Sequence, residues 1–134
     1  MARAYLATKP KSPAHKLGLQ PGGRLRAMGA PPGLAALLGA LPERAVITEH
    51  GDSPAALILL FARNSTELVR QLPRAMAAME PSGALWVAYY KGTAGIATDI
   101  NRDIIREHAG TLGLCPTTIL AIDPRWSALR LKPV

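Results

Sequence analysis

Hydrophobic positions along the chain fall into short blocks of two periods. Ala55–Phe61 (AALILLF) is an unbroken apolar run. Its length and lack of polar alternation predict a strand covered on both faces, in the middle of a parallel sheet flanked by helices. Arg24–Met28 instead sets Arg24, Arg26 and Met28 against Leu25 and Ala27, which predicts a strand with one wet face. Ala45–Thr48 (AVIT) and Ala84–Tyr90 (ALWVAYY) predict two further strands, rich in β-favouring residues. Helical spacing appears where Asn64 and Glu67, a pair resembling a capping box, precede Leu68, Leu72, Met76 and Met79. This helix should reach about Glu80, and Pro73 should kink or split it near Leu72.

Shorter elements complete the pattern. Ser12 as cap and Pro13 as first residue start a helix that Gly18 ends, and Leu34–Leu38 forms another before Gly39 and Pro42. A later helix is expected behind a cap at Thr98 or Asp99, with Ile100, Ile104, His108 and Leu112 along one side and Gly113 as its stop. Thr117–Ile122, the turn Asp123-Pro124-Arg125 and Trp126–Lys132 predict a closing hairpin. Strands alternating with helices before a hairpin imply an α/β three-layer sandwich, its sheet mostly parallel with a C-terminal antiparallel hairpin. Residues 1–11 lack apolar periodicity and read as a basic flexible tail on a single domain spanning 12–134.

Charge changes the picture at one end. The chain has 134 residues and a net charge of +7, yet no acid precedes Glu43 while Arg3, Lys9, Lys11, Lys16, Arg24 and Arg26 do. This basic first third points to an anionic partner, a small ligand or a nucleic acid. Only Tyr5 among aromatics lies there, so no stacking platform accompanies the charge. The longest apolar run is too short for a membrane helix, and Met1–Lys9 holds no apolar core of a signal peptide; a cytoplasmic location and no membrane partner are expected. A lone Cys115 beside Pro116 reads as a small buried side chain, and His15, His50 and His108 are too scattered to predict a metal site. Neither Ser53 nor Ser127 sits in a nucleophile elbow.

The succession KLGL-x-PGG (Lys16–Gly23), GAPPG (Gly29–Gly33), LLG-x-LP (Leu37–Pro42), GALWVAYYK, ATD (Ala97–Asp99) and D-x-x-WSALRLK (Asp123–Lys132) resembles a small bacterial family of uncharacterised domains. The element order after Ala55 is similar to the second half of Rossmann-like S-adenosylmethionine-dependent methyltransferases. That resemblance implies a glycine turn after the first strand, here Gly29 and Gly33, and an acid after the second, here Glu49, twenty residues beyond Gly29. The sequence departs from the pattern at Pro31 and Pro32, which place no backbone N–H where the cofactor's amino-acid end would need donors. S-adenosylmethionine is therefore a possible but not a favoured ligand.

A second candidate is the loop Lys91–Asp99 (KGTAGIATD) at the carboxyl end of a strand. Lys91, Gly92, Thr93, Gly95, Thr98 and Asp99 are its candidate binders of a small anion, with glycines for close approach and a helix N-terminus beyond. Arg125, Trp126 and Arg130 on the hairpin are candidate contacts for a partner, including a second copy of the chain. Together these features predict a non-catalytic binding or interaction module for an anionic ligand or partner. The alternatives are a methyltransferase and a nucleic-acid-binding protein.

Overall fold

The computed structural model describes residues 11–50 and 54–134. The elements run α1 (Pro13–Leu17), β1 (Arg24–Met28), α2 (Leu34–Leu38), β2 (Val46–Thr48), β3 (Ala55–Phe61), α3 (Ser65–Ala78), β4 (Met79–Tyr90), α4 (Arg102–Thr111), β5 (Leu114–Ala121) and β6 (Trp126–Pro133). The six strands form one sheet in the order β2-β1-β3-β4-β6-β5. β2, β1, β3 and β4 are parallel neighbours, and β6 lies antiparallel to both β4 and β5. The expected mostly parallel sheet with a closing hairpin is what the chain forms. The proposed tail, apart from Lys11, lies outside the described residues.

β3 earns its interior position from its two faces. Leu57, Leu59 and Phe61 join Ala14, Leu17, Leu34 and Leu38 of α1 and α2, together with Trp86 and Trp126. Ile58 and Leu60 join Leu68 and Leu72 of α3, Ile105 and Ala109 of α4, and Val87 and Leu129. Each leucine, isoleucine and phenylalanine of β3, fully removed from water, contributes roughly 1.5–3 kcal/mol, so both layers are held by the same seven-residue strand. β1 keeps the predicted alternation, with Leu25 and Ala27 buried and Arg24, Arg26 and Met28 only half covered.

Caps follow the sequence in two places and depart from it in a third. The Ser12 hydroxyl accepts from the His15 N–H, and the Asn64 carbonyl oxygen accepts from the Glu67 N–H at 2.8 Å. For α4 the cap is Asn101, not Thr98 or Asp99; its side chain accepts from the Ile104 N–H at 2.9 Å. Ile100, Ile105 and Ala109 are buried and Leu112 packs against the same core, while Ile104 is 38% exposed. Pro73 does not divide α3, which is continuous and ends at Ala78 rather than Glu80. Proline leaves the Val69 carbonyl without its usual donor, and both residues lie on the exposed side of the helix, where that oxygen is open to solvent. Cys115 is half-buried, not enclosed, because β5 is an edge strand. Among the described residues no helix is long and apolar enough to cross a membrane.

Candidate functional site at the carboxyl ends of the parallel strands

The chain leaves β1 for β2 on one side and returns to β3 on the other, so the strand order reverses between β1 and β3. In open α/β sheets the crevice outside the carboxyl ends at such a reversal is where ligands bind. Gly29 stands at that point, just past β1. Its φ is +68°, and a Cβ there would come within 3.0 Å of the Phe61 carbonyl oxygen, so the turn depends on glycine.

Arg63, just past β3, crosses this crevice. One terminal nitrogen of its guanidinium donates to the Gly29 carbonyl at 2.9 Å, and the other meets the Glu67 carboxylate at 3.3 Å. Its central carbon lies 5.9 Å from the centre of a Trp126 ring, in cation–π range. The Glu67 carboxylate also accepts from the Arg63 N–H at 2.7 Å. One arginine thus ties the β1 turn, the start of α3 and the hairpin together. Nothing in the hydrophobic pattern singled it out; its position two residues beyond the end of the Ala55–Phe61 run was the available signal.

Beside the crevice lies a groove of about 510 Å³, lined by Arg26, Met28 and Gly29 of the β1 region, Glu49 after β2, and Gln71, Arg74, Ala77 and Ala78 of α3. Its origin is topological. Only residues 49–54 separate β2 from β3, where a parallel crossover ordinarily takes a dozen residues or more and usually supplies a helix. Among the described residues no helix lies over the strip of β1 next to α3. Gly29 and Glu49, paired by the sequence, do meet here. The cationic lining from Arg26 and Arg74 was not anticipated, since it joins a strand face to a helix face nearly fifty residues away.

The other candidates separate from this pair. Gly33 faces a second hollow of about 480 Å³, lined by Pro31 and Pro32 of the same turn and by Asp123, Arg125 and Trp126 of the hairpin. Trp126 is only 2% exposed, packed edge-on against Phe61 at 5.0 Å and tilted over Tyr90 at 4.3 Å. Of the two roles open to a tryptophan at this hairpin, packing on the edge or contact with a partner, its ring takes the first: the indole is committed to the core. Arg130 lies four residues further along β6, near the opposite end of the sheet, in a hollow with Leu19, Arg24 and Ala56. At about 3.3 Å per residue, some 13 Å separate it from Trp126, so Arg125, Trp126 and Arg130 do not share one patch.

The Lys91–Asp99 loop is pinned at both ends. The Lys91 N–H donates to the Arg125 carbonyl at 2.9 Å, and Gly92–Ala94 forms one tight turn closed by Gly95 at φ +71°. The Thr98 hydroxyl donates to the Arg63 carbonyl at 2.7 Å. Asp99 accepts from the Ser65 N–H at 2.7 Å and the Ser65 hydroxyl at 2.6 Å, so its carboxylate serves the N-terminus of α3. Those bonds hold the Asp99 carboxyl below its ordinary pKa of 3.8, the Ser65 hydroxyl contributing most. A lowered folded-state value means that the bond stabilises the fold above the ordinary pKa and ceases to do so as pH falls through the lower one. The stability deficit of Asp99→Asn relative to wild type, read from thermal melts, should accordingly be full at neutral pH and shrink below about pH 4.

An S-adenosyl cofactor fits these residues only in part. Glu49 can accept from ribose hydroxyls and Gly29 permits close approach, but Pro31 and Pro32 withhold donors and the Arg63 guanidinium already occupies the Gly29 carbonyl. Among the described residues no three His, Cys, Asp or Glu side chains gather as a metal site would require.

Comparison with solved structures places the fold. The chain resembles the ribosomal protein L11 methylase of Lactobacillus delbrueckii subsp. bulgaricus at a TM-score of 0.57 and 12% identity, covering 90% of this chain and 74% of that one. It resembles DhpI, solved as a complex with SAH, at 0.58 and 12% identity, covering 99% and 85%. Against TrmN from Thermus thermophilus the score is 0.55 at 12% identity, and 90% of this chain spans only 46% of that one. These likenesses establish a methyltransferase-like, Rossmann-like fold. No curated protein matches the chain. The model of DUF3052, described as a protein of unknown function, matches residues 34–134, which include the groove's Glu49 and α3, and the chain belongs to that family.

Proposed function

We propose that this domain is a ligand-binding module on a methyltransferase-like scaffold, holding a ribose-bearing anion in the groove between β1, β2 and α3 without transferring a methyl group. The observation that supports this reading is the meeting of Glu49, Arg26 and Arg74 in one groove, beside a crevice that Arg63 fills. A carboxylate accepts from vicinal hydroxyls, and a guanidinium offers a planar fork of donors to a phosphate or carboxylate. Catalytic transfer would need the reacting groups to meet within about 3.5 Å in a water-excluding site. The groove is open to solvent, and the crevice beside it holds an arginine.

Isothermal titration of the full chain with AMP and with S-adenosylhomocysteine tests this reading. AMP should bind saturably, Glu49→Ala should weaken it about tenfold, corresponding to roughly 1.4 kcal/mol, and a labelled-methyl assay with S-adenosylmethionine should show no transfer. Absence of saturable AMP binding would remove the proposal. A second reading, methyl transfer, draws on the shared fold with DhpI, whose structure is an SAH complex. Tighter binding of S-adenosylhomocysteine than of AMP, together with methyl transfer, would replace the first reading with the second.

A further inference from the structure

Charge is not spread evenly over the helices. α4 balances Arg102 and Arg106 with Asp103 and Glu107, and Asp103 meets Arg106 at 3.5 Å. α3 carries Arg70 and Arg74 on its exposed side, while its one acid, Glu67, is engaged by Arg63. Neither Arg70 nor Arg74 forms an ion pair among the described residues. They lie four residues apart, one turn of helix or about 6 Å. Arg74 shares its groove with Arg26, and Arg24 sits two residues before Arg26 on the same face of β1, its guanidinium donating to the Pro54 carbonyl. The groove is therefore the middle of a cationic track that runs from the exposed side of α3 to the uncovered strip of β1.

One feature breaks the track's sign. Glu49 is exposed and is the groove's single acid among the described residues. Toward a phosphate it is repulsive; toward a sugar hydroxyl it is an acceptor with no competing donor of its own. A ribose 2′-hydroxyl donates to such a group and a deoxyribose has nothing to offer it.

We infer that the track binds single-stranded RNA, with Arg26, Arg70 and Arg74 on successive phosphates and Glu49 on a ribose 2′-hydroxyl. This rests on the groove being an anion site, and it names the anion as a ribonucleotide chain in place of a lone nucleotide. Arginine has five N–H donors, so a partner within the protein leaves others for phosphate. Without an aromatic platform the recognition is independent of base sequence and strongly salt-dependent.

Fluorescence anisotropy of the full chain with labelled single strands of about twelve nucleotides, RNA and DNA of one sequence, tests the inference. Three phosphate contacts on a single strand predict a slope of about −2 in log affinity against log salt, so RNA affinity should fall roughly 20-fold between about 50 and 200 mM salt. Arg70→Gln with Arg74→Gln should cut that slope to about −0.7. Wild type should prefer RNA over DNA by about tenfold, and Glu49→Ala should erase the preference chiefly by weakening RNA binding, as it weakens AMP. RNA affinity unchanged by the double arginine variant overturns the track, and equal affinity of wild type for RNA and DNA overturns the role of Glu49. AMP titrated in the same buffer separates the two levels. Saturable AMP with no RNA binding sinks this inference and leaves the groove's function standing, whereas loss of both sinks the pair.

Discussion

Trp126→Ala is expected to destabilise the domain by about 3–5 kcal/mol, the range for removing a large buried aromatic side chain. The ring is 2% exposed, fills the space between Phe61 and Tyr90, and underlies the Arg63 guanidinium. Urea unfolding measures the change directly: the midpoint should fall with little change in slope. Trp126→Phe should cost markedly less, since most of the apolar volume and the aromatic contact remain. A surface role makes the opposite forecast, because an exposed contact truncated to alanine changes stability by no more than about 0.5 kcal/mol. An unaltered urea midpoint for Trp126→Ala would mean that the indole faces outward.

Leu59→Ala and Leu60→Ala should each cost about 2–5 kcal/mol, although the two side chains leave β3 in opposite directions. Leu59 packs with the α1 and α2 layer and Leu60 with the α3 and α4 layer, and both are fully buried. A strand at the surface of a two-layer protein would give one large loss and one near zero. Comparable losses identify a three-layer sandwich, and the effects should add in the double variant only approximately, since adjacent core sites share backbone adjustments.

The strands and most helices were legible because their signals are local. The run Ala55–Phe61 excludes a wet face, the alternation over Arg24–Met28 requires one, and Ser12 and Asn64 each stand where the first helical N–H groups need an acceptor. α4 shows where local signals fail. Thr98, Asp99 and Asn101 are all competent caps within four residues, and tertiary contacts decide among them: Asp99 is drawn to Ser65 and Thr98 to the Arg63 carbonyl, leaving Asn101. Ala109, the small residue that seats this helix on the sheet, carries little hydrophobic signal, so Ile104 was placed on the buried side although it is exposed, while Ile100 and the half-buried His108 and Leu112 lie toward it.

The candidate site divides in the same way. Gly29 and Glu49 could be paired from spacing because each follows a strand and β1 and β2 are parallel neighbours in register, Arg26 beside Thr48. Arg63 could not, since its role depends on β3 lying against β1 so that its guanidinium reaches a carbonyl 34 residues earlier. Arg74 joins the groove only because α3 packs beside a strip of β1 that no helix among the described residues covers. Gly33 and Arg125 met across the second hollow for an equally nonlocal reason, the folding of the hairpin turn toward Pro31 and Pro32.

The most direct test of the groove as the binding site is an amide correlation spectrum of the full chain titrated with AMP. Saturable shifts concentrated at Met28, Gly29, Glu49 and the Gln71–Ala78 face of α3 are predicted. Shifts centred on the Lys91–Asp99 loop, or none at millimolar AMP, would contradict the account.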